Sequence, residues 1–176
     1  MCTGSGCIAI ALAQAFSQAT IYALDISDHA LALAAKNARH NNVSNITFLQ
    51  SDLFQALPAD VRFDMIIANP PYISSQEWQT LDQSVKQWED QTALIASDNG
   101  LSILRKIIEL SPSHLKPNPE LAAAHLPQLI VEIGHLQGPM VQQLFQENNF
   151  YDTVIEKDLQ GNDRIVSGCI RNEALT

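Results

Sequence analysis

Asp64-Met65-Ile66-Ile67-Ala68-Asn69-Pro70-Pro71-Tyr72 decides how this chain folds. Phe63 to Ala68 is mostly apolar and reads as a short buried strand. It must stop at Asn69, because proline has no N–H to give a ladder and locks φ near about −65°. A carboxamide, two rigid rings and an aromatic therefore stand together at a strand end. That combination is a stiff, polar-lined clamp.

Outward from this point, strand-like and helix-like segments alternate. Gly6 to Phe16 is rich in Ala and Ile and reads as a helix opened by a glycine turn. Thr20 to Asp25 is a short strand ending in an acid. Ser27 is a candidate N-cap, with Asp28 in the first turn, where negative charge suits the helix dipole. That helix runs to about Arg39 on an apolar face of Ala30, Leu31, Leu33, Ala34 and Ala38. Asn45 to Gln50 is the next strand, and Ser51-Asp52-Leu53 is its exit loop. Beyond the clamp, Ser74 to Ala96, with Trp78 and Trp88, reads as a loop with a short helix over the site. Leu101 to Leu110 is helical, continuing to His114. Lys116-Pro117-Asn118-Pro119 breaks any helix, and Glu120 to His125 makes one turn. Gln128 to Ile133 is a buried strand ending at Gly134. Met140 to Glu147 is a helix, and Tyr151 to Glu156 and Arg164 to Cys169 are two closing strands. The pattern predicts an α/β sandwich with a mostly parallel sheet.

Thr3-Gly4-Ser5-Gly6 opens the first helix. Glycine lets the backbone turn sharply and lets a ligand approach where a Cβ would clash. The helix start beyond it offers free N–H groups. Alone, the pair is a weak signal and reads more readily as a plain turn. Asp25 ends a strand about twenty residues on, the distance expected of a ribose-binding acid. It also reads as a helix cap. Asp52 follows the next strand in the same way, placed to accept from an adenine amino group while Leu53 covers the ring. Ala9 takes the place of a third glycine, which leaves a dinucleotide cofactor open. A glycine turn of this kind normally follows a strand. Met1-Cys2 is too short to be one, so the expectation is a truncated first strand, with unpaired edges on two neighbours or with those neighbours closed on each other.

At 176 residues the chain is long enough for one domain with a real core. No apolar run reaches the ~20 residues of a membrane span. Met1 to Gly6 shows no basic leader region. A formal charge of −9 disfavours a nucleic-acid partner, since neutralising phosphates needs clustered Lys and Arg. Cys2, Cys7 and Cys169 form no metal pattern, and such a sparse set fits a reducing, cytoplasmic setting.

Taken together, Thr3-Gly4-Ser5-Gly6, Asp25, Asp52 and Asn69-Pro70-Pro71-Tyr72 resemble the class I methyltransferases that modify glutamine, the peptide chain release factor glutamine methyltransferase family above all. Trp88-Glu89 with Thr92-Ala93-Leu94, Asp98-Asn99-Gly100-Leu101, Glu132-Ile133-Gly134, Lys157-Asp158-Leu159 and Gly161-Asn162-Asp163-Arg164 extend the likeness over nearly the whole chain. The resemblance implies a Rossmann-like class I methyltransferase fold, a three-layer sandwich with an antiparallel C-terminal hairpin. It makes residues 1–176 the catalytic domain, without the family's N-terminal helical domain. It implies S-adenosylmethionine as cofactor, held by Thr3, Gly4, Ser5, Gly6, Asp25, Asp52, Leu53 and Asn69. Its substrate is the glutamine of a Gly-Gly-Gln loop in a release factor, bound by Asn69, Pro70, Pro71 and Tyr72. Asn69, Pro70 and Tyr72 are the expected catalytic residues. No metal, membrane or sequence-specific nucleic-acid contact is expected.

The chemistry suits those residue types. Asn69 can accept one amide N–H through its carbonyl oxygen, and the Pro70 carbonyl can accept the other. Tyr72 offers a flat wall. The alternatives are a methyltransferase for a glutamine of ribosomal protein L3, an adenine-amine DNA methyltransferase using a similar clamp, and an inactive fragment of the fold. The Cys2 to Cys7 start is shared with the ribosomal-protein group, whereas the ending looks more like the release-factor group.

Overall fold

A computed structural model describes residues 1–80, 82, 86, 91–118, 120–121 and 124–171. They divide into two compact units, Met1–Val61 and Arg62–Thr176.

The first unit alternates helix and strand: α1 (Cys7–Ala15), β1 (Ile21–Asp25), α2 (Asp28–His40) and β2 (Ile46–Gln50). β1 and β2 pair in parallel, Ile21 opposite Ile46 through Asp25 opposite Gln50. Parallel strands need a crossover, and α2 supplies it. Ser27 caps α2 as the sequence predicts, its hydroxyl accepting from the Ala30 N–H at 3.2 Å. Leu31, Ala34 and Ala38 form the buried face. Thr3 N–H donates to the Leu24 carbonyl at 3.0 Å, so the residues ahead of α1 take up a bond at β1.

The second unit holds β3 (Ile66–Ala68), α3 (Ser75–Thr80), α4 (Ser102–Leu110), β4 (Leu129–Glu132), α5 (Gly138–Glu147), β5 (Phe150–Lys157) and β6 (Asp163–Ile170). Its sheet runs in the order β3-β4-β6-β5. β3 and β4 are parallel, whereas β6 lies antiparallel to both of its neighbours. The last strand is thus inserted between two earlier ones. α4 passes into a 3-10 turn, Ser111–His114, with Pro112 at its start, so the helical segment continues to His114 as expected. Leu104, Ile107, Ile108, Val131, Val141, Phe145 and Phe150 are fully buried. Each such side chain contributes about 1.5–3 kcal/mol on burial. The Phe145 and Phe150 rings lie 5.0 Å apart and tilted.

β1 and β2 form one sheet, and β3 to β6 form the other. The strand expected over Phe63 to Ala68 is broken: Phe63 bridges Leu115, and the ladder resumes only at Ile66. The link is Gln128, buried at the head of β4. Its Nε2 donates to the Lys116 carbonyl (2.9 Å) and the Asp64 carbonyl (3.2 Å), and its backbone joins Gly168 and Ile66. Lys116 also pairs with Asp64 at 3.0 Å. After Pro117, the Asn118 Oδ1 accepts from the N–H groups of Glu120 and Leu121, capping the single turn expected there.

Candidate active site

In the first unit the glycine turn is built on Asp25. Gly4 N–H donates to one Asp25 oxygen at 2.8 Å, and Ser27 N–H to the other at 3.0 Å. Gly4 and Gly6 both sit at positive φ, +54° and +84°. A Cβ on Gly6 would lie 2.9 Å from that of Ala34, so glycine there lets α1 start against α2. A Cβ on Gly4 would meet nothing within 4 Å, leaving open space beside the turn. The Ser5 carbonyl is held by Asn37 at 2.9 Å. Asp52 is exposed and accepts from Gln55 at 3.3 Å. Leu53 adopts φ +51° and is buried. Burial pushes the Cys2 thiol up to about 11, with the negative charges of Asp25 and Asp52 adding to the effect.

These residues fit a nucleoside cofactor. Each carboxylate oxygen of Asp25 has a second lone pair after its backbone bond, and the open space beside Gly4 is the kind of approach that glycine permits.

In the second unit the tetrapeptide follows β3 directly. Asn69 is exposed, whereas Pro70 is among the most deeply buried side chains. Neither the Asn69 side chain nor the Pro70 carbonyl has a hydrogen-bond partner among the described residues. Tyr72 is the opposite case. Its hydroxyl donates to Glu132 Oε1 at 3.1 Å and accepts from Arg164 Nη1 at 3.4 Å. Its carbonyl accepts from Gln137 Nε2 at 3.0 Å. Burial, and next the Glu132 charge, push the Tyr72 phenol above its ordinary value, so it stays protonated at neutral pH.

Gln137 was not legible as a site residue. It joins three loops, donating also to the Asn99 carbonyl (3.2 Å) and accepting from Gly134 N–H (2.8 Å). The motifs Asp98 to Leu101 and Glu132 to Gly134 thereby gain a role as buttresses of the clamp. Asp98, Asn99 and Gly100 all have positive φ, and a Cβ on Gly100 would fall 2.1 Å from the Tyr72 carbonyl oxygen. Beyond Tyr72, the Ile73 N–H and carbonyl pair with Leu94 and Ala96. Ser74 and Glu77 cap α3 reciprocally, at 2.9 and 3.1 Å. Trp78 is half-buried on α3. Trp88 and Glu89 lie outside the described residues.

The methyltransferase domain model matches residues 1–167, and the chain belongs to that family. Its fold is the α/β class I methyltransferase fold. The chain is 38% identical over 164 residues to the release factor glutamine methyltransferase of Fusobacterium nucleatum subsp. nucleatum, covering 93% of this chain and 44% of that protein. With the release factor glutamine methyltransferase of Lactococcus lactis subsp. lactis the identity is 42% over 167 residues, covering 94% and 57%. The chain spans about half the length of the curated relatives it matches. Among solved structures it is similar to the ribosomal protein L11 methylase from Lactobacillus delbrueckii subsp. bulgaricus, with a TM-score of 0.64, 25% identity, and coverage of 97% of this chain and 67% of that one.

Proposed function

We propose that residues 1–176 form a catalytic domain that methylates the side-chain amide nitrogen of a glutamine in a protein, using S-adenosylmethionine. The proposed substrate is the Gly-Gly-Gln loop of a peptide chain release factor. The observation that carries this reading is the division of labour in the tetrapeptide. Asn69 and the Pro70 carbonyl keep their acceptors uncommitted, while Pro70 and Tyr72 are held fast. The names of the relatives at 38% and 42% identity point to the same substrate.

When bound, S-adenosylmethionine supplies an electrophilic methyl group on a sulfonium and leaves as the neutral thioether. Gly4, Gly6, Asp25 and Asp52 would hold its nucleoside part. An amide nitrogen is a weak nucleophile, because its lone pair is delocalised into the carbonyl. Position therefore matters more than a strong base. The Asn69 carbonyl oxygen accepts one amide N–H and the Pro70 carbonyl the other, which aims the nitrogen. Those N–H groups become more acidic as the new bond forms, so the same two acceptors bind the transition state more tightly than the ground state. Once the nitrogen carries the methyl group it is cationic and strongly acidic, and it gives one N–H proton to water, so no strong base is needed beforehand. Proline rigidity at Pro70 and Pro71 leaves little to reorganise when the substrate enters.

Labelled methyl transfer to a release factor, to ribosomal protein L3 and to adenine-containing DNA, measured side by side, tests the reading. Label in the release factor glutamine is expected; label in DNA alone overturns it. Asn69→Ala should lower turnover by about a hundredfold or more while cofactor affinity stays within about tenfold. Asp25→Ala should instead weaken cofactor binding, read by calorimetric titration.

A further inference from the structure

Arg164, on β6, has no part in the chemistry above. Its guanidinium nevertheless reaches three separate stretches of chain: Nη1 donates to the Tyr72 hydroxyl and to the Ile133 carbonyl, both at 3.4 Å, and Nη2 donates to Asp158 at 3.1 Å. Asp158 is itself fixed by its own turn, since its Oδ1 accepts from the N–H groups of Gln160 (2.9 Å) and Asn162 (3.0 Å). We propose that Arg164 is a positioning residue for the clamp. It pins the tip of the Tyr72 ring against β4 and so sets the wall on which the substrate amide lies. This rests on reading Asn69 to Tyr72 as the amide clamp.

The bonding of Tyr72 supports it. A ring that served only as an apolar wall would need no fixed hydroxyl. Here the phenol has one donor and it goes to Glu132, and its acceptor faces Arg164. The backbone end of the same residue is held independently, by Gln137 at the carbonyl and by the close approach of Gly100. Tyr72 is therefore fixed at both ends, by different elements. Arginine suits the far end because its planar fork spreads fixed donors over two nitrogens that reach Tyr72, Ile133 and Asp158, whereas the three donors of lysine leave one compact nitrogen. The opposite charges of Glu132 and Arg164 on either side of the hydroxyl also set its direction. The turn between β5 and β6 is thereby coupled to the tetrapeptide through side chains alone.

A double-mutant cycle tests this, with glutamine methylation by the full protein as the readout and Asn69→Ala alongside. Arg164→Gln and Tyr72→Phe should each lower kcat by about tenfold with little change in cofactor affinity. The double variant should lose about tenfold as well, not a hundredfold, because both changes cut one chain of contacts. Arg164→Lys should behave as Arg164→Gln. Multiplicative losses, full activity in Arg164→Gln, or rescue by lysine would each overturn the inference. Full activity in Asn69→Ala would sink the clamp reading instead, which separates the two failures. If Arg164→Gln does not fold, Asp158→Asn takes its place: it leaves the guanidinium present but unpinned, and the same non-additivity with Tyr72→Phe is expected.

Discussion

Gly100 shows how narrow the tolerance is around the tetrapeptide. Its φ of +84° is expensive for any side chain, and a Cβ would overlap the Tyr72 carbonyl. Gly100→Ala combines a left-handed backbone penalty of ~1–2 kcal/mol with overpacking of ~1–3 kcal/mol. It is expected to lower Tm by several degrees and to reduce turnover more than cofactor affinity, as thermal melts and binding titrations would show. Gly4→Ala should cost only the backbone penalty, since space is open there. Asn69, Asp25 and Asp52 stood out as candidates because each is a polar residue at or just beyond the end of an apolar strand. Gln137 did not. Its bonds run to Tyr72 and Asn99, 65 and 38 positions away, and a side-chain amide reaching distant backbone carries no periodic signature. The Tyr72 hydroxyl was hidden in the same way: the ring suggested a wall, but its partners Glu132 and Arg164 lie 60 and 92 positions on.

At the level of elements, the alternation of helix and strand was readable because each apolar run has the period of its own structure. α2 starts at its predicted cap, and α4 continues into a 3-10 turn that ends at His114, where the helical segment was expected to end. The misreading arises where tertiary bonds override local pattern: Phe63 is drawn away to Leu115. The closing strand read over Tyr151 to Glu156 is present, with a bulge between Tyr151 and Val154, where Asp152 takes a positive φ. The hairpin joining β5 to β6 depends on charge. The Asn162 backbone bond, and behind it Arg164 and Gln160, hold the Asp158 carboxyl below its ordinary range. A depressed carboxyl pKa stabilises the fold above its unfolded value and loses that stabilisation as pH falls through the folded one. Acid should therefore loosen this turn below about pH 4. Asp158→Asn should flatten that part of the Tm–pH curve, and an unchanged curve would show that the carboxylate does not hold the turn.

On the scale of the molecule, the sequence read as one domain, whereas the described residues divide into two compact units, with the glycine turn, Asp25 and Asp52 in the first and the Asn69 to Tyr72 tetrapeptide in the second. The inserted position of β6 was not visible, because antiparallel pairing with two non-sequential neighbours is a property of topology and not of any one strand. Among the described residues no helix is long and apolar enough to cross a membrane. The second unit also contains one residue on which its long-range assembly converges. Gln128 offers its amide hydrogens to the carbonyls of Asp64 and Lys116 while its main chain joins Ile66 and Gly168. A single oxygen-for-nitrogen exchange there would set a carboxylate facing two carbonyl dipoles with no proton between them. Gln128→Glu should thus turn a pH-indifferent core into an acid-loving one, with its carboxyl pKa raised and its stability greatest below about pH 4 and draining away toward neutrality. Melting curves at pH 4 and 7 would reveal that inversion.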